Sequence, residues 1–286
     1  MPGKVASMRE AVGRLVRDGA SIALGCALEP AIPFAFAHEV IRQRRQDLHL
    51  IGPISDIAFD QLIGAGCVGR ISAAWVGNVS AGLAHAYRRA MEEGMPRRVE
   101  VRDHSNFTIA QALLAGAVGA PYLPTRTLLG SDIPRANTTF REATDPFSGD
   151  RILLVPAIVP DVTVIAVQRA DEDGNAHLWG PWGVSQEAAL AAKSVIVIAD
   201  ELVDRATIAS DPNRTVVPGT PLQGRYRRDH EFFHEYHRAT RSVEGFETWI
   251  GEWVMGVADR SAYLAKLGPR WTELKDTGRP AAEARF

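Results

Sequence analysis

The sequence predicts an α/β protein, an open, mostly parallel sheet flanked by helices, with a helical C-terminal segment. Two observations lead there. Up to about Ile133, strand-like apolar runs alternate with runs of helical period, the signature of parallel strands joined by crossover helices. Each early strand candidate also stops on small or polar residues, as strands do where an open sheet gathers a ligand beyond its carboxyl edge. With 286 residues, 46% of them hydrophobic, the chain can bury a full core.

The elements follow in order. Met8–Arg17 is an amphipathic helix opened by a capping box, Ser7 with Glu10. Strands are expected at Ser21–Gly25, Leu48–Gly52, Arg70–Val76 and Val99–Asp103, and helices at Pro33–Arg44, Asp56–Ile63, Gly82–Glu93 and Phe107–Ala117. Val99–Asp103 alternates apolar and charged residues, which suits a sheet edge. A second block starts near Arg151 with two apolar runs, followed by turn chemistry at Asp171–Asn175, a helix in "VSQEAALAAKS" and a strand at Val195–Asp200. From about Asp229 the chain reads as helical and carries an aromatic stripe, Phe232, Phe233, Tyr236, Phe246, Trp249 and Trp253, best explained by packing. Residues 1–258 are expected to form a single α/β domain and 259–286 a C-terminal helix with a loose polar tail.

Composition narrows the function classes. The 32 basic and 34 acidic side chains leave a net charge of −2, so the concentrated basic face that grips nucleic acid is not expected. Two cysteines, Cys26 and Cys67, point to a reducing compartment and no disulfide framework, hence a cytoplasmic protein. The most apolar run, "FTIAQALLAGAVGAPYLP", is broken by Gln111, Gly116, Gly119 and Pro121 and falls short of the ~20 residues of a membrane span. The first residues lack the apolar core of an export signal.

The chemistry-bearing candidates lie at the strand ends: Gly25-Cys26-Ala27, Gly52-Pro53, Gly77-Asn78, His104-Ser105-Asn106 and, further on, Gly130-Ser131-Asp132. Glycine lets a backbone approach a ligand, and amides in such turns can hold an anion; a succession of such ends at one sheet edge suggests a cleft. Glu29 beside the first of these loops could be a base or a solvated turn residue. His104 could touch a ligand or cap the helix that follows it. There is no G-x-x-x-x-G-K-[ST] phosphate loop, no dinucleotide fingerprint after a strand and no G-x-S-x-G elbow. "HEFFH", His230 to His234, fits the zinc-helix pattern H-E-x-x-H, but in so charged and aromatic a setting a helix with solvated histidines explains it equally well, and no metal is expected.

Three stretches together carry a family resemblance: "DGASIALGCALEPAIPFAFAHEVIRQ", "VRDHSNFTIAQALLAGAVGAPYLPTRTLLGSDI" and "ADEDGNAHLWGPWGVSQEAALAAKSVIVIADELV". They resemble the A (α) subunit of class I coenzyme A transferases, of the glutaconate CoA-transferase type, and the likeness runs from the N-terminal helix to about Trp253. The C-terminal "DHEFFHEY" and "GFETWIGEWV" also look like that family's closing helices, which weakens the zinc reading.

The resemblance implies an enzyme subunit working at a cavity shared with a B subunit, with no bound cofactor and with coenzyme A as a substrate carried between an acyl-CoA and a carboxylic acid. In the family a glutamate of the B subunit takes up the acyl group and then CoA. Its motifs, S-E-N-G or G-x-G-x-E, do not occur here, so this chain should be catalytically incomplete alone and should work in an α2β2 or higher heteromer. The A-subunit loop after the first strand, G-G-F in the family, lends backbone N–H groups to the thioester oxygen. The matching residues are Gly25, Cys26 and Ala27, with Cys26 in the second glycine position and Ala27 in the aromatic one. A backbone donor survives such changes, though the pocket shape differs. Cys26, with no basic neighbour in sequence, reads as a small buried thiol.

By position, Glu29, Asn78, Ser80, His104, Ser105, Asn106, Arg126, Ser131 and Asp132 are the substrate-binding candidates; Arg126 could pair with an acceptor carboxylate or serve a structural salt bridge. Ala166 stands where relatives often have histidine. A branch of the family opens steroid-derived rings as CoA-thioester hydrolases, using an acidic residue near the positions of Ser105 and Asn106; neither residue is a carboxylate here, so transferase is preferred. Readings from other classes are a non-enzymatic metabolite-binding module and a zinc hydrolase.

Overall fold

The computed structural model describes residues 4–27, 31–78, 82–219, 222–226 and 230–268. Helix α1 (Met8–Leu15) opens on the expected capping box: Ser7 accepts from the Glu10 amide, and the Glu10 carboxylate accepts from the Ser7 amide at 2.8 Å. Then come β1 (Ser21–Ala23), α2 (Phe34–Arg42), β2 (Leu48–Ser55), α3 (Ile57–Gly64), β3 (Val68–Asn78), β4 (Gly82–Leu83), α4 (His85–Glu92), β5 (Glu100–Asp103) and α5 (Asn106–Ala117). The second half holds β6 (Tyr122–Thr125), α6 (Ile133–Ala136), β7 (Arg141–Thr144), β8 (Arg151–Pro156), β9 (Val162–Ala170), β10 (Ala176–His177), α7 (Ser185–Ala191) and β11 (Ser194–Leu202). Helix α8 (Arg205–Ala209), β12 (Thr215–Val217), β13 (Leu222–Tyr226), α9 (His230–Ala239), α10 (Val243–Ile250) and α11 (Arg260–Leu267) complete the fold.

The main sheet runs β13-β11-β9-β1-β2-β3-β5, every neighbouring pair parallel. Two details of β1 decide where a ligand can go. It pairs with β9 only at Ile22–Val162 and Ala23–Thr163, then stops, while β9 continues to Ala170. Since β11 occupies the other side of β9 along its length, the antiparallel β10, paired with β9 through Ala170–Ala176 across the Asp171–Asn175 turn, lies on the β1 side beyond the end of β1. From β1 the chain also builds outward through β2, β3 and β5, whereas β9, β11 and β13 extend the sheet the other way. The carboxyl end of β1 is thus the point where strand order reverses, where open sheets leave a crevice.

Helices cover both faces. The larger core joins α1 to α3 and the C-terminal helices to one face, with Ile22, Leu24, Leu50, Phe59, Phe36 and Val40 among its buried residues. The other face is closed by α5 and α7 around Ala23, Cys26, Ile51, Ile109, Leu113 and Ala188. The aromatic stripe is packing: Phe232 and Tyr236 are fully buried, and Phe34 meets the Phe232 and Tyr236 rings edge-on at 4.9 and 5.6 Å. The Phe233 side chain lies outside the described residues. Helix α11 joins this core through Tyr263 and Leu267.

Two expectations need correction, and one sheet was not foreseen. The strand foreseen to Gly25 ends at Ala23, because Gly25 takes a left-handed φ of +69° that no strand continues through. The helix foreseen from Gly82 starts at His85, because Gly82 and Leu83 fold back antiparallel on Asn78 and Gly77. Between Tyr122 and Pro156 lies a separate antiparallel sheet, β6-β8-β7, packed on α5 through Leu153, Val155, Phe140 and Ala112.

Candidate active site

The loop that follows β1 is closely approached by a carboxylate on one residue and by main chain on others. A Cβ on Gly25 would lie 2.9 Å from the Asp56 Oδ2 atom, and one on Gly52 would lie 2.8 Å from the Leu24 carbonyl oxygen, so both positions need glycine. Asp56 is 3% exposed and caps α3, its Oδ1 accepting from the Ala58 amide at 2.9 Å. On the opposite side, the Cys26 carbonyl accepts a hydrogen bond from the Val184 amide at 2.8 Å, and a Cβ on Gly183 would fall 1.8 Å from that same carbonyl oxygen. Gly183 and Val184 end the segment "LWGPWGV", which links β10 to α7. That segment is itself tied down. The Trp182 indole N–H donates to the Leu178 carbonyl at 2.9 Å, and the Gln168 side chain pairs with both the amide and the carbonyl of Trp179 at 3.2 Å.

Cys26 and Ala27 are each 3% exposed. Burial, reinforced by the nearby Asp56 and Glu187 carboxylates, pushes the Cys26 thiol up to about 12. At neutral pH it is a protonated, enclosed thiol, so what the loop offers to chemistry is its backbone. Glu29 and Ser80 lie outside the described residues. Asn78 is the last residue of β3, paired with Gly82.

The end of β5 is a second neighbourhood. It is three strand spacings from β1, roughly 14 Å across the sheet. There the His104 amide donates to the Ala73 carbonyl at 3.0 Å, and the ring meets Phe140 edge-on at 5.1 Å with 3% of the residue exposed. Burial, with lesser contributions from His49 and Arg102, lowers its pKa to about 4, so His104 is a neutral packing residue in this chain. Ser105 caps α5, accepting from the Thr108 amide, and Asn106 is exposed in the first turn. The loop after β6 joins this end of the sheet, since Asn137 Nδ2 donates to the Asp103 carbonyl at 2.9 Å. On that loop Arg126 pairs with Asp150, Ser131 donates to the Leu128 carbonyl and Asp132 pairs with Arg135. These three residues are exposed or nearly so and already engaged locally. The candidates therefore fall into two groups, one around Gly25–Ala27 and one around Ser105, and not into a single cluster.

Asp56 and the Gly183–Val184 pair escaped sequence reasoning as parts of the site. Asp56 was visible only as a helix start, and the glycine-rich "WGPWG" carried no sign of which strand end it would meet. Among the described residues, no group of three His, Cys, Asp or Glu side chains could hold a metal ion. On α9, His234 is exposed while Phe232 and Tyr236 face the core.

Comparison with known proteins meets this geometry. The family model described as Coenzyme A transferase matches residues 5–223. The chain is similar to the A subunit of the 3-oxoadipate CoA-transferase of Pseudomonas knackmussii, with 39% identity over 276 residues that cover 91% of this chain and 97% of the relative. It is similar also to the A subunit of the glutaconate CoA-transferase of Acidaminococcus fermentans, with 28% identity over 296 residues covering 93% and 92%. The crystal structure of glutaconate coenzyme A-transferase from Acidaminococcus fermentans superposes with a TM-score of 0.73 at 27% identity, covering 95% of this chain and 94% of that one. Fold and sequence agree, and the chain belongs to the coenzyme A transferase family.

Proposed function

We propose that this chain is the A subunit of a heteromeric CoA-transferase, and that its Gly25–Ala27 loop polarises the thioester carbonyl while a B subunit supplies the attacking glutamate. The observation that carries the reading is the glycine-built loop at the reversal point of the sheet, in a chain similar over nearly its whole length to two A subunits of CoA-transferases, one of them at 39% identity.

The reaction is covalent catalysis in four exchanges. The B-subunit carboxylate adds to the acyl-CoA carbonyl, the C–S bond breaks, and CoA thiolate leaves behind a mixed anhydride. The thiolate then adds to the glutamyl carbonyl, releasing the first acid as its carboxylate and leaving glutamyl-CoA. An acceptor carboxylate displaces the thiolate to form a second anhydride. Attack by the thiolate on the acceptor's carbonyl yields the new acyl-CoA and returns the glutamate. Negative charge gathers on a carbonyl oxygen at every addition, and fixed backbone N–H groups that stabilise it act mainly in the transition state. The names of the two relatives, for 3-oxoadipate and glutaconate, favour a dicarboxylic acid as the acceptor. The assembly we propose is α2β2 or larger. No helix among the described residues is long and apolar enough to cross a membrane.

To test this, the chain is co-expressed with a B-type partner and given succinyl-CoA or acetyl-CoA with 3-oxoadipate or glutaconate. CoA should move between acids, and borohydride should reduce a B-chain glutamyl thioester formed from acyl-CoA. Full turnover by this chain alone, or no transfer by the complex with any of these pairs, overturns the reading.

A further inference from the structure

The best-defined feature of the site is one that the reaction scheme does not use, namely the way the "LWGPWGV" segment meets the Cys26 carbonyl. A peptide unit is planar and trans, so fixing the direction of one carbonyl fixes the N–H of the next residue in the opposite direction. The Cys26–Ala27 peptide is trans, and its carbonyl is held by the Val184 amide at 2.8 Å. The Ala27 N–H therefore points away from that segment. Gly183, at φ +54°, lies so close that any Cβ would sit 1.8 Å from the Cys26 oxygen, with the Cys26 carbonyl carbon at 2.9 Å and the Ala27 Cα at 3.2 Å. The obstacle is backbone on both sides and no side chain can swing aside. Even the smallest substitution must displace the peptide whose orientation is at issue. The segment is not a loose strap, because the Trp182 to Leu178 bond closes it and Gln168 pins it to β9.

We infer that Gly183 and Val184 are positioning residues for the reaction, orienting the Cys26–Ala27 peptide so that the Ala27 N–H serves the thioester oxygen. The inference rests on the transferase reading above. It assigns to this segment, far from Cys26 in sequence, the task of aiming a donor it does not itself provide. The donor contributes in the transition state and little to the binding of a ligand that has no thioester carbonyl.

The test uses the complex of this chain with its B subunit and measures two quantities, transfer kinetics and the affinity for free CoA, which carries the whole nucleotide and pantetheine handle but no thioester oxygen. For Gly183→Ala, kcat should fall about a hundredfold, the loss typical of a missing oxyanion donor. KM for acyl-CoA and Kd for free CoA should both stay within about threefold, because uniform binding is untouched. A kcat within threefold of wild type overturns the inference, as does a loss of free-CoA affinity in step with the loss of rate. Should Gly183→Ala not assemble, Trp182→Phe carries the test, since it removes the indole N–H that closes the segment while keeping a smaller aromatic ring against the core. It should lower kcat about fivefold with free-CoA affinity unchanged, and an unaltered kcat overturns the inference. The wild-type complex in the same assay separates the two questions, because if it moves no CoA the transferase reading has failed, whatever the variants do.

Discussion

The ends of β1 and β5 look alike in the sequence and differ in the folded chain. Both strands stop at the carboxyl edge of the sheet and are followed within three residues by a chemically interesting side chain, Cys26 in one and His104 in the other. At β5 the side chain is used for structure: His104 lies against Phe140, and the next residue caps α5. At β1 the side chain is buried too, but the backbone is held from both sides, by Asp56 against Gly25 and Gly52 against the Leu24 carbonyl, and by Val184 and Gly183 against the Cys26 carbonyl. The contrast teaches that a reactive residue type at a strand end says little. What sets the β1 end apart is a backbone approached closely, by main chain at Gly52 and Gly183 and by the Asp56 carboxylate at Gly25.

The largest effect that could break this comparison is kinetic. Gly25→Ala places a Cβ at a left-handed φ and 2.9 Å from Asp56 Oδ2, so it should lower kcat of the complex about a hundredfold, whereas His104→Asn should leave kcat within about threefold. Steady-state rates of the two variants beside wild type decide it, and equal losses would mean that the two strand ends share the work.

A medium effect concerns stability and acid. His104 and His49 both have pKa values near 4 in the fold, through burial first, against 6.5 when exposed. The unfolded chain thus binds more protons between pH 6.5 and 4. The stability these neutral rings confer is complete above 6.5 and is lost as pH falls towards 4, on the order of 3 kcal/mol for His104. Asp60 works the other way, since burial raises its carboxyl from 3.8 to about 6, and it gains stability as pH falls through that range. The comparison that isolates His104 is therefore urea unfolding of wild type and His104→Asn at pH 7, 5.5 and 4.5. The variant should show the shallower loss below pH 6.5, and parallel curves would refute the assignment.

The smallest effect is an expected near-absence of one. With its thiol buried and raised to about 12, Cys26 should resist iodoacetamide in the native complex at pH 8, and Cys26→Ala should transfer CoA within about twofold of wild type. Rapid alkylation with loss of activity would restore the side chain to the mechanism.

Much of the frame could be read from residues alone. The apolar runs of β1, β2, β3, β9 and β11 and the helices between them declare a parallel sheet, because buried strands flanked by helices need little help from distant context. The short strands Tyr122–Thr125 and Arg141–Thr144 were not legible: one contains proline and the other is two charged residues followed by two small ones, and each is a strand only because Leu153 and Val155 of β8 anchor them on α5. Of the site, the Gly25–Ala27 loop was visible as a glycine after a strand. Its restraint by Gly183 and Val184 was not, because nothing local in "WGPWG" specifies the partner across the sheet.

That restraint has a consequence for how the protein is made. Strand β1 and its loop leave the ribosome early, but the amide that fixes the Cys26 carbonyl belongs to residue 184 and appears much later. A nascent or truncated chain that ends before α7 can contain the whole Gly25–Ala27 sequence and still lack its working shape. Under the proposed reading, a companion chain that recognises the finished loop would dock only on copies whose synthesis has passed residue 184.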